Sequence, residues 1–131
     1  MRSILLIEDD DLFREALADA LAERGFNVTQ AADGKLGLAQ FRLQPTDLVL
    51  TDLVMPNQEG IETILALRRE SPCVGIIAMS GGLAHDAPLY LQIAGKMGAA
   101  RTLLKPFTLA ALLTAIEEVL AGGADQPPSA P

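Results

Sequence analysis

Short runs of apolar residues alternate along the chain with segments in which apolar residues recur every three or four positions. The runs predict five β-strands, and the helical periods predict a helix after each strand. The predicted strands cover residues 4–7, 26–31, 48–50, 74–79 and 102–104, and the helices about 11–24, 34–44, 61–71, 88–97 and 109–120. Five β-α units in a row predict an α/β fold with a parallel sheet and helices on both faces.

The first and second predicted strands differ in pattern. Ile4, Leu5, Leu6 and Ile7 are all apolar, which is typical of a strand buried on both faces. Residues 26–31 alternate between apolar and polar, so we expect an edge strand there. Asp33 is placed to cap the second helix. Residues 121–131 are rich in Gly, Pro and Ser, and we expect one domain over 1–120 and a disordered tail over 121–131.

Composition excludes several classes of protein. The 131 residues suit one domain, and 50% hydrophobic residues with only 4% aromatics predict an aliphatic core. The net charge of −7 argues against nucleic acid as a partner, since phosphates require a basic surface. One cysteine and one histidine exclude an internal disulfide and zinc sites with several Cys or His ligands. The sequence shows neither a signal peptide nor a membrane-length apolar run, so we expect a cytoplasmic protein without membrane contact.

Polar residues stand where four of the predicted strands end. In a parallel α/β sheet, functional groups gather beyond the carboxyl ends of the strands. The residues at these ends are Glu8, Asp9, Asp10, Asp52, Ser80, Lys105 and Pro106. We therefore expect the carboxylates, the hydroxyl and the ammonium to share one edge of the sheet.

These groups together suit phosphoryl chemistry. Crowded carboxylates repel one another, so they take up protons or hold a cation, and hard oxygen ligands favour Mg²⁺. Lys105 supplies a positive charge for phosphate and Ser80 a neutral donor. Asp52 is then a candidate nucleophile that would form an acyl phosphate.

Four motifs in this order resemble the receiver domain of two-component response regulators, over residues 3–120. They are Ile7-Glu8-Asp9-Asp10, Thr51-Asp52-Leu53-Val54-Met55-Pro56 with Gly60, Ala78-Met79-Ser80, and Lys105-Pro106-Phe107. The resemblance implies a flavodoxin-like three-layer sandwich with a five-stranded parallel sheet in the order 2-1-3-4-5 and five helices.

The resemblance also implies a role for each motif residue. Asp52 would be the phosphoacceptor, and Mg²⁺ would be bound by Asp9, Asp52, Glu8 through water and the backbone carbonyl of Val54. Ser80 and Lys105 would bind the phosphoryl group, and the peptide bond before Pro106 would be cis. Glu8 and Asp9 are preferred to Asp9 and Asp10 as the acidic pair because they come first after the strand and Arg14 lies five residues past Asp9. The implied partners are a histidine kinase or a histidine phosphotransfer protein.

Two positions depart from the family pattern. Thr102 stands where the family has an aromatic residue that turns inward on activation, and the segment from Ser80 to Lys105 is longer than usual. We therefore expect the signal to leave through the loop 81–88 and the helix after it. The candidate signal surface is Leu89, Tyr90, Ile93 and Thr102. Since no output domain follows Leu120, we expect output by contact with a downstream protein or by onward phosphotransfer.

The same residues also have other interpretations. Taken one at a time, each residue has an ordinary structural interpretation. An acidic residue after a strand is a charge at the start of a helix, Ser80 a turn residue, His85 a loop residue and Cys73 a small core residue. A phosphohydrolase of the haloacid dehalogenase type would also use a strand-end aspartate, but it requires a second Asp where this chain has Val54. The remaining alternative is an interaction module of the same fold that works without phosphorylation.

Overall fold

The computed structural model describes residues 2–53, 59–81 and 87–125. The strands are β1 (Ser3–Ile7), β2 (Asn27–Ala31), β3 (Leu48–Asp52), β4 (Gly75–Gly81) and β5 (Arg101–Lys105). The helices are α1 (Asp11–Glu23), α2 (Gly34–Leu43), α3 (Glu59–Glu70), α4 (Ala87–Met97) and α5 (Leu109–Asp125).

The five strands form one parallel sheet in the order β2-β1-β3-β4-β5. Strand β3 is central and fully buried, which fits its unbroken apolar run. Strand β2 lies at one edge, as its alternating pattern predicted. The α/β fold and the strand order expected from the sequence are therefore confirmed.

Successive residues of a strand face opposite layers of the molecule, and the core is divided accordingly. Ile4 and Leu6 pack in one apolar cluster with residues of α1 and α5. Leu5 and Ile7 pack in the other cluster with residues of α2, α3 and α4. Both faces of the sheet are thus covered by helices, and the polar groups needed for chemistry can be placed only at the strand ends.

Two sequence-based expectations differ from the structure. Helix α5 continues to Asp125, so residues 121–125 are helical and not part of a disordered tail; residues 126–131 lie outside the described part. The glycines there are tolerated because they extend a helix already formed by a buried apolar face. Cys73 is exposed and not a core residue, because it lies in the turn between α3 and β4, ahead of the buried strand.

Candidate functional site

Three carboxylates meet at the carboxyl ends of β1 and β3. Ile7 pairs with Thr51 in the sheet, which makes the next residues, Glu8 and Asp52, neighbours. One carboxylate oxygen each of Glu8, Asp9 and Asp52 lies within 4.8 Å of the other two. Glu8 and Asp52 are only 1% and 3% exposed, whereas Asp9 is exposed. The cluster is therefore a mostly buried set of oxygen ligands that opens to solvent at Asp9.

Lys105 brings the balancing positive charge from the end of β5. Its Nζ donates a hydrogen bond of 2.8 Å to Glu8 Oε1 and lies 3.4 Å from Asp52 Oδ1. Gly81 pairs with Lys105 in the sheet, and a Cβ at Gly81 would lie 2.7 Å from the Lys105 Cβ and carbonyl oxygen. The absence of a side chain at Gly81 thus lets the end of β5 come close enough for the lysine to reach both acids.

Burial and charge shift the ionisation of this group of side chains. Burial raises the pKa of Glu8 above its ordinary value, and the Asp52 charge adds to this, although the hydrogen bond from Lys105 opposes it. For Lys105, burial lowers the pKa, but the hydrogen bond to Glu8 and the charges of Asp52 and Glu8 together raise it above its ordinary value. Lys105 is consequently a fixed cation at neutral pH.

Ser80 stands at the end of β4, one residue after the partner of Asp52 in the sheet, Met79. Its side chain is fully buried, and its Oγ has no hydrogen-bond partner among the described residues. Buried hydroxyl groups are usually hydrogen-bonded, so the Ser80 side chain is a candidate member of the site at the strand ends.

Two further residues fix the loop after β1. Asp10 accepts a hydrogen bond of 3.1 Å from the backbone N–H of Phe13 and so caps α1. Arg14 donates 2.9 Å and 3.1 Å hydrogen bonds to the carbonyl oxygen of Glu8 and to Gln30 Oε1. Asp10 therefore serves the helix, while Glu8 and Asp9 face the site. The spacing of Arg14 is visible in the sequence, whereas its hydrogen bond to the Glu8 carbonyl is visible only in the structure.

Comparison with known proteins decides the family. A model of the response regulator receiver domain matches residues 4–117. The chain belongs to the response regulator receiver domain family. This receiver domain is 35% identical to the probable chemotaxis protein CheY of Rhizobium etli over 117 residues, which cover 88% of this chain and 90% of that protein. It is 34% identical to the response regulator receiver protein CpdR of Brucella abortus over 126 residues, covering 92% and 98%.

Longer relatives and solved structures agree with this. The sensory transduction protein RegX3 of Mycolicibacterium smegmatis is 33% identical over 125 residues, which cover 95% of this chain but 53% of RegX3. The chain thus spans about half the length of such relatives. A CheY-like receiver domain structure from Methanospirillum hungatei superposes with a TM-score of 0.85 at 25% identity, covering 96% of this chain and 98% of that one. The receiver domain is a signalling domain of two-component systems.

The carboxylate cluster of this receiver domain fits a small divalent cation. Three acidic side chains converge on one place, and the ammonium of Lys105 balances only part of their charge. The oxygens are hard ligands and too few for a complete protein cage, which suits Mg²⁺ with its retained waters better than Ca²⁺.

Other residues of the predicted site lie apart from the cluster or outside the described part. The peptide bond between Lys105 and Pro106 is cis. Val54, the loop 82–86 with His85, and the side chain of Tyr90 are outside the described residues. Leu89 and Thr102 are exposed and Ile93 is half-buried, on α4 and β5. Among residues 2–53, 59–81 and 87–125, no helix is both long and apolar enough to cross a membrane.

Proposed function

We propose that Asp52 accepts a phosphoryl group from a phosphohistidine in a Mg²⁺-dependent reaction. The donor is a histidine kinase or a histidine phosphotransfer protein, as in two-component signalling. The observation that carries this proposal is the placement of the Asp52 carboxylate at the end of the central strand, 3.4 Å from Lys105 Nζ and beside the carboxylates of Glu8 and Asp9.

The reaction is a displacement at phosphorus. A carboxylate oxygen of Asp52 forms the new P–O bond as the P–N bond of the phosphohistidine breaks. The electron pair of that bond stays on the imidazole nitrogen, and the donor leaves as a neutral imidazole when its other ring nitrogen carries a proton. The product is an aspartyl phosphate, and its hydrolysis returns the Asp52 carboxylate and inorganic phosphate.

The remaining groups of the site hold charge in place during this step. Asp9, Asp52 and the backbone carbonyl of Val54 are the proposed direct ligands of Mg²⁺, and Glu8 is the proposed ligand through water. When bound, the ion neutralises charge on the phosphoryl oxygens. Lys105, held between Glu8 and Asp52, supplies a fixed positive charge for the same oxygens.

Ser80 is the proposed sensor of the product. Its buried Oγ has no partner among the described residues, and it stands at the end of the strand next to Asp52. A phosphoryl group adds about −1.5 to −2 charge and new acceptor oxygens. A phosphoryl oxygen on Asp52 offers the Ser80 hydroxyl an acceptor, so Ser80 links the chemistry to a change at the end of β4.

The output of this change is a contact with a downstream protein or onward phosphotransfer. Thr102 on β5 is exposed and has no ring to bury or expose. We therefore expect the rearrangement to concentrate in residues 81–95, where Leu89 presents an apolar side chain that is 53% exposed. Amide hydrogen exchange with and without beryllofluoride measures this. Unchanged protection over 81–95, with a large change confined to β5 and α5, would contradict it.

Intact-mass measurement with a small phosphodonor tests the phosphoacceptor. The unsubstituted chain should gain the mass of one phosphoryl group with Mg²⁺ and much less with a chelator. Asp52→Asn should abolish the gain. The matched control is Asp33→Asn, because Asp33 caps α2 through Leu36 N–H and Asn caps equally well. An equal gain in Asp52→Asn would refute the assignment, and no gain in any chain would favour an interaction module without phosphorylation.

A further inference from the structure

The ammonium group of Lys105 has an aromatic neighbour that the acidic site does not account for. Lys105 Nζ lies over the ring of Phe13, 4.7 Å from the ring centroid. This distance is well inside the roughly 6 Å at which the face of an aromatic ring attracts a cation. Phe13 comes from the first turn of α1, far from β5 along the chain.

The ring of Phe13 is held from two sides. Its backbone N–H donates to Asp10 Oδ1, which fixes the residue in the first turn of the helix. The rings of Phe13 and Phe107 form a T-shaped, edge-to-face contact, with centroids 6.3 Å apart and an interplanar angle of 76°. Both rings pack against the core cluster shared by α1 and α5. The ring face under Lys105 is therefore a preformed surface.

The Phe13 ring face helps to determine the position of the Lys105 ammonium group. Lys105 Nζ is closer to Glu8, at 2.8 Å, than to the nucleophile Asp52, at 3.4 Å. A lysine side chain has a flexible four-carbon stem and lacks the rigid, forked set of donors of arginine. Contacts on several sides are therefore needed to hold its ammonium group in one place. The carboxylates supply two of these contacts, and the face of the Phe13 ring supplies a third.

We propose that Phe13 is a positioning residue for Lys105, a proposal that rests on the function proposed above. The ring face holds the ammonium group within reach of Asp52, where the phosphoryl oxygens arrive. Leucine at this position keeps an apolar side chain against the core but offers no ring face. Tyrosine keeps both.

The phosphorylation rate with phosphoramidate and saturating Mg²⁺ tests the role. Phe13→Leu should lower the rate about three- to tenfold, the range that a partly buried cation–π contact supports. Phe13→Tyr should restore most of it. Phe26→Leu is the matched control, because Phe26 is buried in the same core cluster and is not in the Lys105 contact. Its rate should stay within about twofold of the unsubstituted chain, a change below about 0.4 kcal/mol.

Two readouts separate positioning from packing. In a Lys105→Met background, Phe13→Leu should cause no further loss of rate, whereas a packing defect would add to it. The NMR signals of the Lys105 ε-methylene protons should show a ring-current shift in the unphosphorylated chain, lost in Phe13→Leu and kept in Phe26→Leu. This second readout needs no phosphorylation.

The outcomes distinguish the two proposals. An unchanged rate in Phe13→Leu, or an equal loss in the Lys105→Met background, would overturn the positioning role and leave the proposed function standing. An absent ring-current shift would likewise overturn it. No phosphorylation of the unsubstituted chain would contradict the proposed function itself, and the positioning role with it.

Discussion

Removing the charge of Lys105 should destabilise the chain in a pH-dependent way. Lys105→Met keeps an unbranched apolar stem but leaves the buried carboxylates of Glu8 and Asp52 without their shared cation. With an effective dielectric constant of about 20, the attraction is about 6 kcal/mol across 2.8 Å and about 5 kcal/mol across 3.4 Å. Much of this offsets the desolvation of the three charges, and breaking such a pair typically costs about 3–5 kcal/mol.

Glu8 can take up a proton in the folded variant, so the stability that Lys105→Met loses through Glu8 cannot exceed the free energy of placing that proton. In the variant the folded-state pKa of Glu8 lies further above the unfolded value of 4.5, so the folded state binds the additional proton. Placing that proton costs about 1.36 kcal/mol for each pH unit above 4.5, which is about 4 kcal/mol at pH 7.5 and about 0.7 kcal/mol at pH 5. Stability from this group is present at low pH and lost as the pH rises through the folded pKa.

The unsubstituted chain should lose less stability over the same pH range, because the hydrogen bond from Lys105 opposes the rise in the pKa of Glu8. The pKa of Lys105 is raised, so the stabilisation from its charge is complete below its ordinary value of 10.5 and is lost only in more alkaline solution. We therefore expect Lys105→Met to cost about 2–4 kcal/mol at about pH 7.5 and less than about 1.5 kcal/mol at about pH 5.

Urea unfolding in the presence of a chelator measures both values, since a divalent cation would otherwise replace the lost charge. With a slope of about 1.5–2 kcal/mol/M, the midpoint at about pH 7.5 should fall by about 1–2.7 M. The matched control is Lys96→Met, at an exposed lysine of α4, which should change stability by less than about 0.5 kcal/mol. A loss in Lys105→Met that is the same at both pH values, or no larger than that of the control, would refute the electrostatic argument.

Three further predictions concern the site and its frame. Ser80→Ala should leave the free energy of unfolding within about 1 kcal/mol or raise it, since the buried hydroxyl has no partner among residues 2–53, 59–81 and 87–125. A loss above about 2 kcal/mol by urea unfolding would show that the hydroxyl is hydrogen-bonded. Arg68→Ala should lower the free energy of unfolding by about 2–3 kcal/mol, because the Arg68 guanidinium donates to three backbone carbonyls at 2.6–2.8 Å. The control Arg69→Ala, at an exposed residue, should lower it by less than about 0.5 kcal/mol. Equal urea midpoints for the two variants would contradict this. Asp9→Ala should weaken Mg²⁺ binding as measured by calorimetry. Asp10→Ala should leave Mg²⁺ affinity unchanged and lower stability by about 1 kcal/mol, because α1 loses its N-terminal cap. Equal losses of affinity in the two variants would mean that the acidic pair is assigned one residue too early.

The fold could be predicted because its sheet is buried on both faces. That condition leaves unbroken apolar runs such as 4–7 and 48–50, and it confines polar residues to the strand ends. The positions of Glu8, Asp52 and Lys105 at one edge followed from this rule and from the order of the strands. The order itself came from the resemblance to receiver domains, since periodicity alone does not say which strands are neighbours.

Side-chain contacts between segments far apart in the chain could not be predicted from the sequence. The 2.8 Å bond between Lys105 and Glu8 and the ring of Phe13 under the same ammonium depend on side-chain directions that no local pattern encodes. Arg68 joins the turn after α3 to the turn after α4 through carbonyl groups, which leave no trace in residue type. Cys73 was misplaced because residue type predicts burial only on average, and the turn at Pro72 sets it ahead of the buried strand.

Reductive trapping tests most directly the central claim that Asp52 carries the phosphoryl group. Borohydride reduces an acyl phosphate to an alcohol but leaves phosphoserine and free carboxylates intact. After phosphorylation with phosphoramidate and Mg²⁺, peptide mapping of the reduced chain should find homoserine at position 52 and at no other acid. Homoserine at Asp9 or Asp10, or a stable phosphate on Thr51 or Ser80 with position 52 unchanged, would contradict the account.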